Sequence, residues 1–145
     1  MKPDNYALLK PDNYALLKQC FSKKELQTFS KFKKDSKRIV FNKNNKIVGE
    51  VWVTPSAKLE HIPQITKNGY YVSNLCVNPA YREEGIAKKL MNHVITLAKR
   101  ENKLHLILQS TPKYLEDFYI SLGFHIYLTG YNKDGEQINI MLLGL

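Results

Sequence analysis

Apolar residues follow a helical period in one part of the chain and a strand-like pattern in several others. From Ile86 to Arg100, Ile86, Leu90, Val94 and Leu97 recur at three- and four-residue spacing, and Ala87, Met91, Ile95 and Ala98 widen the stripe. Lys88, Lys89, Asn92, Thr96 and Lys99 fall mostly on the other side, which predicts an amphipathic helix. The preceding stretch, Tyr71 to Val77, is rich in strand formers. Asn78-Pro79 ends it, because proline has no N–H to give to a ladder. The unit is therefore strand, short loop and helix, with Gly85 at the helix mouth.

The same patterning predicts the rest. Ser22 and Glu25 form a capping box for a helix running to about Asp35, with Leu26, Phe29 and Phe32 on its apolar face. Arg38 to Phe41 and Lys46 to Thr54 read as strands around a tight turn at Asn42-Lys43-Asn44-Asn45. Pro55 to Gly69 is a polar loop, Leu104 to Gln109 a strand, and Lys113 to Leu122 a helix that Gly123 caps in a left-handed conformation. Phe124 to Thr129 and Gln137 to Leu143 make a closing pair. Strands interrupted by helices predict an α/β fold, a mixed sheet with helices on both faces. The 145 residues make one domain.

The N-terminus holds a repeat: Pro3 to Lys10 recurs letter for letter as Pro11 to Lys18. Two copies do not make a solenoid, and only one can fill one structural slot. The second copy adjoins the next element, so Asn13 to Gln19 is expected to be the first strand, with residues 1–11 an extension. A helix through both copies is the alternative, although Pro11 would break its ladder.

The central unit has a chemical use. The first amides of a helix lack partners inside it, and the helix dipole favours an anion there. Gly85 allows close approach to the backbone, and Arg82 adds a forked cation suited to phosphate. A ligand carrying a phosphate or pyrophosphate is expected. The loop Arg82-Glu83-Glu84-Gly85-Ile86-Ala87 is neither a Walker A motif nor a GxGxxG.

It resembles the Arg-x-x-Gly-x-Gly/Ala loop of the GNAT superfamily of N-acetyltransferases. Leu75-Cys76-Val77-Asn78-Pro79 is similar to that family's Leu-x-Val-x-Pro strand end, and Phe118-Tyr119-Ile120-Ser121-Leu122-Gly123-Phe124 to its Phe-Tyr-x-x-x-Gly-Phe segment. The resemblance covers about Arg38 to Leu143 and implies a mostly antiparallel twisted sheet. It implies acetyl-CoA as cosubstrate and a primary amine as acceptor, by direct attack in a ternary complex. The backbone of Leu75, Cys76 and Val77 would pair with the pantetheine, and the amide of Val77 or Cys76 would face the acetyl oxygen. The amides of Arg82, Glu83, Glu84, Gly85, Ile86, Ala87 and Lys88 would hold the pyrophosphate, with both glutamate side chains turned to solvent. Tyr119 would protonate the leaving thiolate, and Ser110 would contact CoA. Glu50, His61 or water could serve as the base. A small-molecule amine is the default acceptor. A protein amine or aminoacyl-tRNA is the alternative within the enzyme class, and a CoA-binding module without turnover is the alternative outside it. The resemblance also leaves a homodimer open.

Composition adds bounds. Net charge is +9, and residues 1–38, with 10 of the 22 Lys and Arg against 4 of the 13 Asp and Glu, carry +6 of it. That basicity could attract nucleic acid, but a solvated lysine-rich face is the plainer reading. No apolar run is long enough for a membrane span and no signal peptide opens the chain, so a cytoplasmic protein is expected. Cys20 and Cys76 read as free thiols, and no cysteine or histidine spacing suits a metal.

Overall fold

A computed structural model describes residues 6–9, 15–29, 33–59, 67–111 and 115–145. Seven strands form one sheet: β1 (Tyr6–Leu9), β2 (Lys37–Lys43), β3 (Lys46–Pro55), β4 (Gly69–Val77), β5 (His105–Ser110), β6 (His125–Tyr131) and β7 (Gln137–Gly144). Their order is β1-β2-β3-β4-β5-β7-β6, and every pairing is antiparallel except β4 with β5. The helices are α1 (Lys23–Phe29), α2 (Ile86–Arg100) and α3 (Glu116–Ser121).

Local chemistry accounts for most of these elements. The capping box is in place, Ser22 N–H donating to Glu25 Oε1 at 2.9 Å and Glu25 N–H to Ser22 Oγ at 3.2 Å. Asn44 and Asn45 take φ values of +53° and +62° in the β2–β3 turn. Two left-handed residues in a two-residue hairpin loop give a twist that matches the strands, and asparagine tolerates it. Gly123 caps α3 at φ +105°, with Phe124 N–H returning to the Tyr119 carbonyl at 3.1 Å.

The parallel β4–α2–β5 crossover lays α2 on one face of the sheet. Its buried Ile86, Leu90, Met91, Val94 and Ala98 join Ile39, Val51, Val53, Val72, Leu106, Leu108 and Met141 in the main core, to which Tyr119 of α3 also belongs. Gly49 makes the seat for the first turn of α2, since a Cβ there would lie 2.8 Å from Ile86 Cγ2. The opposite face is covered by residues 15–26. Leu16 and Leu17 bury against Trp52 and Cys76, with Phe21 and Leu26 alongside. Helical segments therefore cover both faces, as expected. Among the described residues no helix is long and apolar enough to cross a membrane.

The N-terminal strand differs from expectation. The first copy of the repeat supplies β1, which pairs with β2 in the register Tyr6↔Phe41 to Leu9↔Arg38. The second copy does not form the strand expected at Asn13–Gln19: Leu17–Gln19 is a 3-10 turn, and residues 11–14 lie outside the described residues. Identical octapeptides thus enter different structures, because edge pairing claims one and burial of Leu16 and Leu17 claims the other.

A buried ion pair crosses β2 and β3. Arg38 Nε and Nη2 donate to Glu50 at 2.9 and 3.2 Å, and Trp52 Nε1 donates to Glu50 Oε2 at 2.8 Å. Glu50 is fully buried, with Arg38 at 5% exposure. Its carboxylate is committed to this network, which removes it as a candidate base. Removing the Glu50 carboxylate deprives the buried Arg38 guanidinium of this charge-assisted pair. Glu50→Ala is expected to destabilise the fold by about 3–5 kcal/mol, measured by urea unfolding. A loss under about 1 kcal/mol would refute this account of the pair.

Candidate active site

β4 holds one residue more than its alternation requires. Tyr70 and Val72 face the α2 side, and so do Leu75 and Val77, three and five residues after Val72. The extra residue is Asn74, at φ +53°, and the β3 register shifts opposite it between Glu50 and Trp52. This is a β-bulge, which bends its strand and increases its twist. β4 pairs with β5 only over Gly69–Tyr71 and His105–Ile107, and beyond that point the two strands part. The gap holds two adjoining clefts of about 370 and 530 Å³ that share Cys20, Leu75 and Leu115.

The first cleft lies against the N-terminus of α2. Leu75, Val77, Tyr81, Ile86, Ala87 and Phe118 give it a largely apolar wall. Asn78 N–H donates to the Val48 carbonyl of β3 at 2.8 Å. Strand alternation then turns the Cys76 N–H toward β3 and the Val77 N–H and carbonyl into the gap. Of the two amides named from the sequence, only that of Val77 faces the cleft. Arg82 is exposed, and its Nε donates to the Val77 carbonyl at 3.1 Å, so its guanidinium caps the end of β4. Glu83 and Gly85 have φ values of +67° and +79°, which curls the loop around the helix mouth. A Cβ on Gly85 would meet nothing within 4 Å, so the space in front of that residue is open. The first α2 turn bonds at Lys89 N–H to the Gly85 carbonyl, 3.1 Å, which leaves the amides of Ile86, Ala87 and Lys88 ahead of the intrahelical ladder. The Glu84 carboxylate pairs with Lys43. It points away from the first cleft, whereas Glu83, although exposed, is one of the residues that line it. The site therefore offers unbonded amides and open space to an anion, and an apolar wall to the chain that carries it.

The second cleft lies between the diverging strands. Tyr119 lines it at 8% exposure, its ring held by Phe118 at 5.4 Å and Phe124 at 5.8 Å between centroids. Ser110, the last residue of β5, also lines it, and its Oγ donates to Met141 Sδ at 3.3 Å. Tyr71 lines neither cleft; it packs beside Leu59 and Ile107, where burial pushes its hydroxyl up to about 12. His61 lies outside the described residues. Among the described residues no group of three or more His, Cys, Asp or Glu side chains could hold a metal.

Cys20 and Cys76 are joined in a disulfide, contrary to the free thiols expected from the sequence. Neither cysteine carries a motif that would announce a partner 56 residues away; the fold brings them together by seating residues 15–26 on β4. Arg82 Nη2 lies 3.7 Å from Cys20 Sγ. The disulfide therefore ties the N-terminal segment to the same strand end that Arg82 caps. Asn74 and Leu115 are further cleft residues that the motif reading passed over. Asn74 did carry a signal, since asparagine is depleted in strands and tolerates the left-handed conformation.

A model of the GNAT acetyltransferase domain matches residues 9–141, and the chain belongs to that family. No curated protein matches the sequence significantly. Solved structures share the fold across nearly the whole chain. An IAA acetyltransferase from Bacillus cereus aligns with a TM-score of 0.77 at 14% identity, covering 97% of this chain and 98% of its own. A GNAT family acetyltransferase from Elizabethkingia anophelis, solved with acetyl-CoA bound, aligns at 0.74 and 19% identity, covering 98% and 99%. The ribosomal-protein-S18-alanine N-acetyltransferase from Escherichia coli aligns at 0.71 and 18% identity, covering 96% and 93%.

The disulfide closes a loop of 56 residues, which by chain entropy is worth about 4 kcal/mol. Reduction with a dithiol, or Cys20→Ser with Cys76→Ser, is expected to lower the melting temperature by about 8–16 °C. An unchanged melting temperature would show that burial of Leu16 and Leu17 alone holds the segment.

Proposed function

We propose that the chain is an acetyl-CoA-dependent N-acetyltransferase acting on a primary amine of a small molecule. The observation that carries this reading is the helix mouth. The amides of Ile86, Ala87 and Lys88 lie ahead of the helix ladder, in open space beside Gly85, next to an apolar cleft bounded by a splayed strand. In a GNAT acetyltransferase chain these residues fit a cosubstrate that has a pyrophosphate at one end and an uncharged arm. Bound there, acetyl-CoA would supply a thioester carbonyl open to attack by an amine.

The protein's own groups would do the rest. The α2 amides hold the pyrophosphate, and the helix dipole favours its charge. Leu75 and Phe118 shield the arm from water, and the free edge of β4 offers it main-chain partners. The Val77 N–H points into the gap, where it would donate to the acetyl oxygen as negative charge builds there. As the new C–N bond forms and the C–S bond breaks, the Tyr119 hydroxyl would give its proton to the departing sulfur. The proton shed by the amine goes to His61 or to water, the candidates that remain once Glu50 is locked in its ion pair. Positioning of the amine against the thioester supplies much of the acceleration.

Calorimetric titration tests the first part. Acetyl-CoA should bind in the micromolar range, and Gly85→Glu should abolish binding while circular dichroism keeps the wild-type spectrum. No binding to the wild type would overturn the reading. Tyr119→Phe keeps the ring packing against Phe118 and Phe124 and deletes only the hydroxyl. Thiol release should then fall by about 10²-fold or more at saturating substrates. Turnover equal to wild type would remove Tyr119 from the proton path and leave the rest standing.

A further inference from the structure

We propose that the second cleft selects a particular class of acceptor: a primary amine with a neutral hydroxyl or amide oxygen close to its ammonium group and no carboxylate. The inference rests on the acetyltransferase reading for its purpose, and on two separate observations for its content.

The first is a pair of orphaned polar atoms. Ser73 Oγ and Asn74 Nδ2 are buried and have no hydrogen-bond partner. Both residues line the second cleft. Buried polar groups nearly always find partners, so two adjacent exceptions in residues that line one cavity call for an explanation. The bulge gives the mechanical cause. It sets Ser73 and Asn74 side by side at the point where β4 leaves β5, beyond the last paired residue, Tyr71. An amide N–H₂ can only donate, and a hydroxyl can donate or accept. Together they match an oxygen that bears lone pairs.

The second is charge. The protein carries +9, yet among the described residues lining this cleft Glu25 is the only charged one. The capping box fixes its position on α1, with one carboxylate oxygen accepting from Ser22 N–H. A carboxylate at the cleft attracts an ammonium ion and repels a second carboxylate. A free amino acid is therefore disfavoured, while the corresponding amide or amino alcohol meets a carboxylate for its cation and donors for its oxygen. A site built to hydrogen-bond an oxygen also penalises the analogue that lacks it.

Three probes separate these terms: serinamide, serine and propylamine, titrated into the protein in the presence and absence of CoA. Binding is read directly by calorimetry, independently of transfer. Serinamide should bind at least about tenfold more tightly than either of the others, a margin of the size expected when a buried donor loses its partner. Asn74→Gly keeps the left-handed conformation and deletes the donor. Ser73→Ala deletes the neighbouring hydroxyl without touching the bulge residue. Either variant should cost serinamide at least about fivefold and propylamine less than about twofold, since propylamine has no oxygen to lose. Glu25→Gln retains the capping box and should shrink the preference for serinamide over serine. Equal binding of the three amines, absence of binding by all three, or variants that bind as wild type would overturn the proposal. Acetyl-CoA titrated into the same samples keeps the two readings apart. Amine selectivity without acetyl-CoA binding would sink the acetyltransferase reading alone, and acetyl-CoA binding without amine selectivity would sink this one alone.

Discussion

One extra residue in β4 governs the candidate site. A strand that alternates without interruption would carry Leu75 to the opposite face from Val72. The bulge at Asn74 resets the phase, so Leu75 and Val77 return to the core under α2 and Cys76 faces the N-terminal segment. The same residue bends β4 away from β5. Backbone groups that would have completed the parallel ladder are left facing a gap, and an incoming chain of main-chain-like chemistry could pair with them. The gap persists because its sides are held independently. β3 keeps the near side of β4 through Cys76 and Val77, and β7 keeps β5 to its last residue, Ser110. Pairing lost between two strands is thus confined to one place, where a cleft results rather than a frayed edge.

The opposite face explains why the N-terminal segment belongs to the site. Arg38, Glu50 and Trp52 form a buried polar network on that face, and Leu16 and Leu17 cover it. Burying such a pair costs desolvation that its hydrogen bonds offset only when the geometry is complete. The cover must therefore stay seated. The disulfide from Cys20 to Cys76 fastens it a few residues from the bulge. Once fastened, the same segment supplies Cys20, Phe21 and Glu25 to the second cleft. Core protection and cleft formation are one arrangement of residues 15–26.

What could be read from the sequence was what depends on neighbours along the chain. The α2 stripe, the Ser22–Glu25 capping box, the paired asparagines of the hairpin and the Gly123 cap all act within a few residues, and each appears where its pattern put it. The loop Arg82–Ala87 was legible for the same reason, although not that Arg82 would turn back onto the Val77 carbonyl. What escaped depends on contacts between distant segments. The two copies of the octapeptide have the same propensities, and only tertiary partners decide that one pairs with Arg38–Phe41 while the other packs on Trp52. The disulfide and the Glu50 ion pair escaped likewise, because a cysteine or glutamate says nothing locally about a partner elsewhere in the sheet. α3 shows an intermediate case. It was expected from Lys113, but helix begins at Glu116 after Leu115 at φ +59°, a conformation that an apolar periodicity does not reveal.

The loop glutamates show how electrostatics and topology meet at the helix mouth. Two carboxylates beside unbonded amides would oppose an anion if they pointed inward. The β2–β3 hairpin removes one of them. Its two-residue turn ends β2 at Lys43, whose ammonium pairs with Glu84 outside the first cleft. Both side chains are about two-fifths exposed, so the pair contributes little to stability, and its effect is one of orientation. Glu83, at φ +67°, is exposed but stays at the lining of the first cleft, so only one of the two carboxylates is drawn away. The helix mouth keeps its amides open because a hairpin turn far away in sequence sets a lysine in reach of the loop. A lengthened turn would free Glu84 without altering any residue of the loop itself.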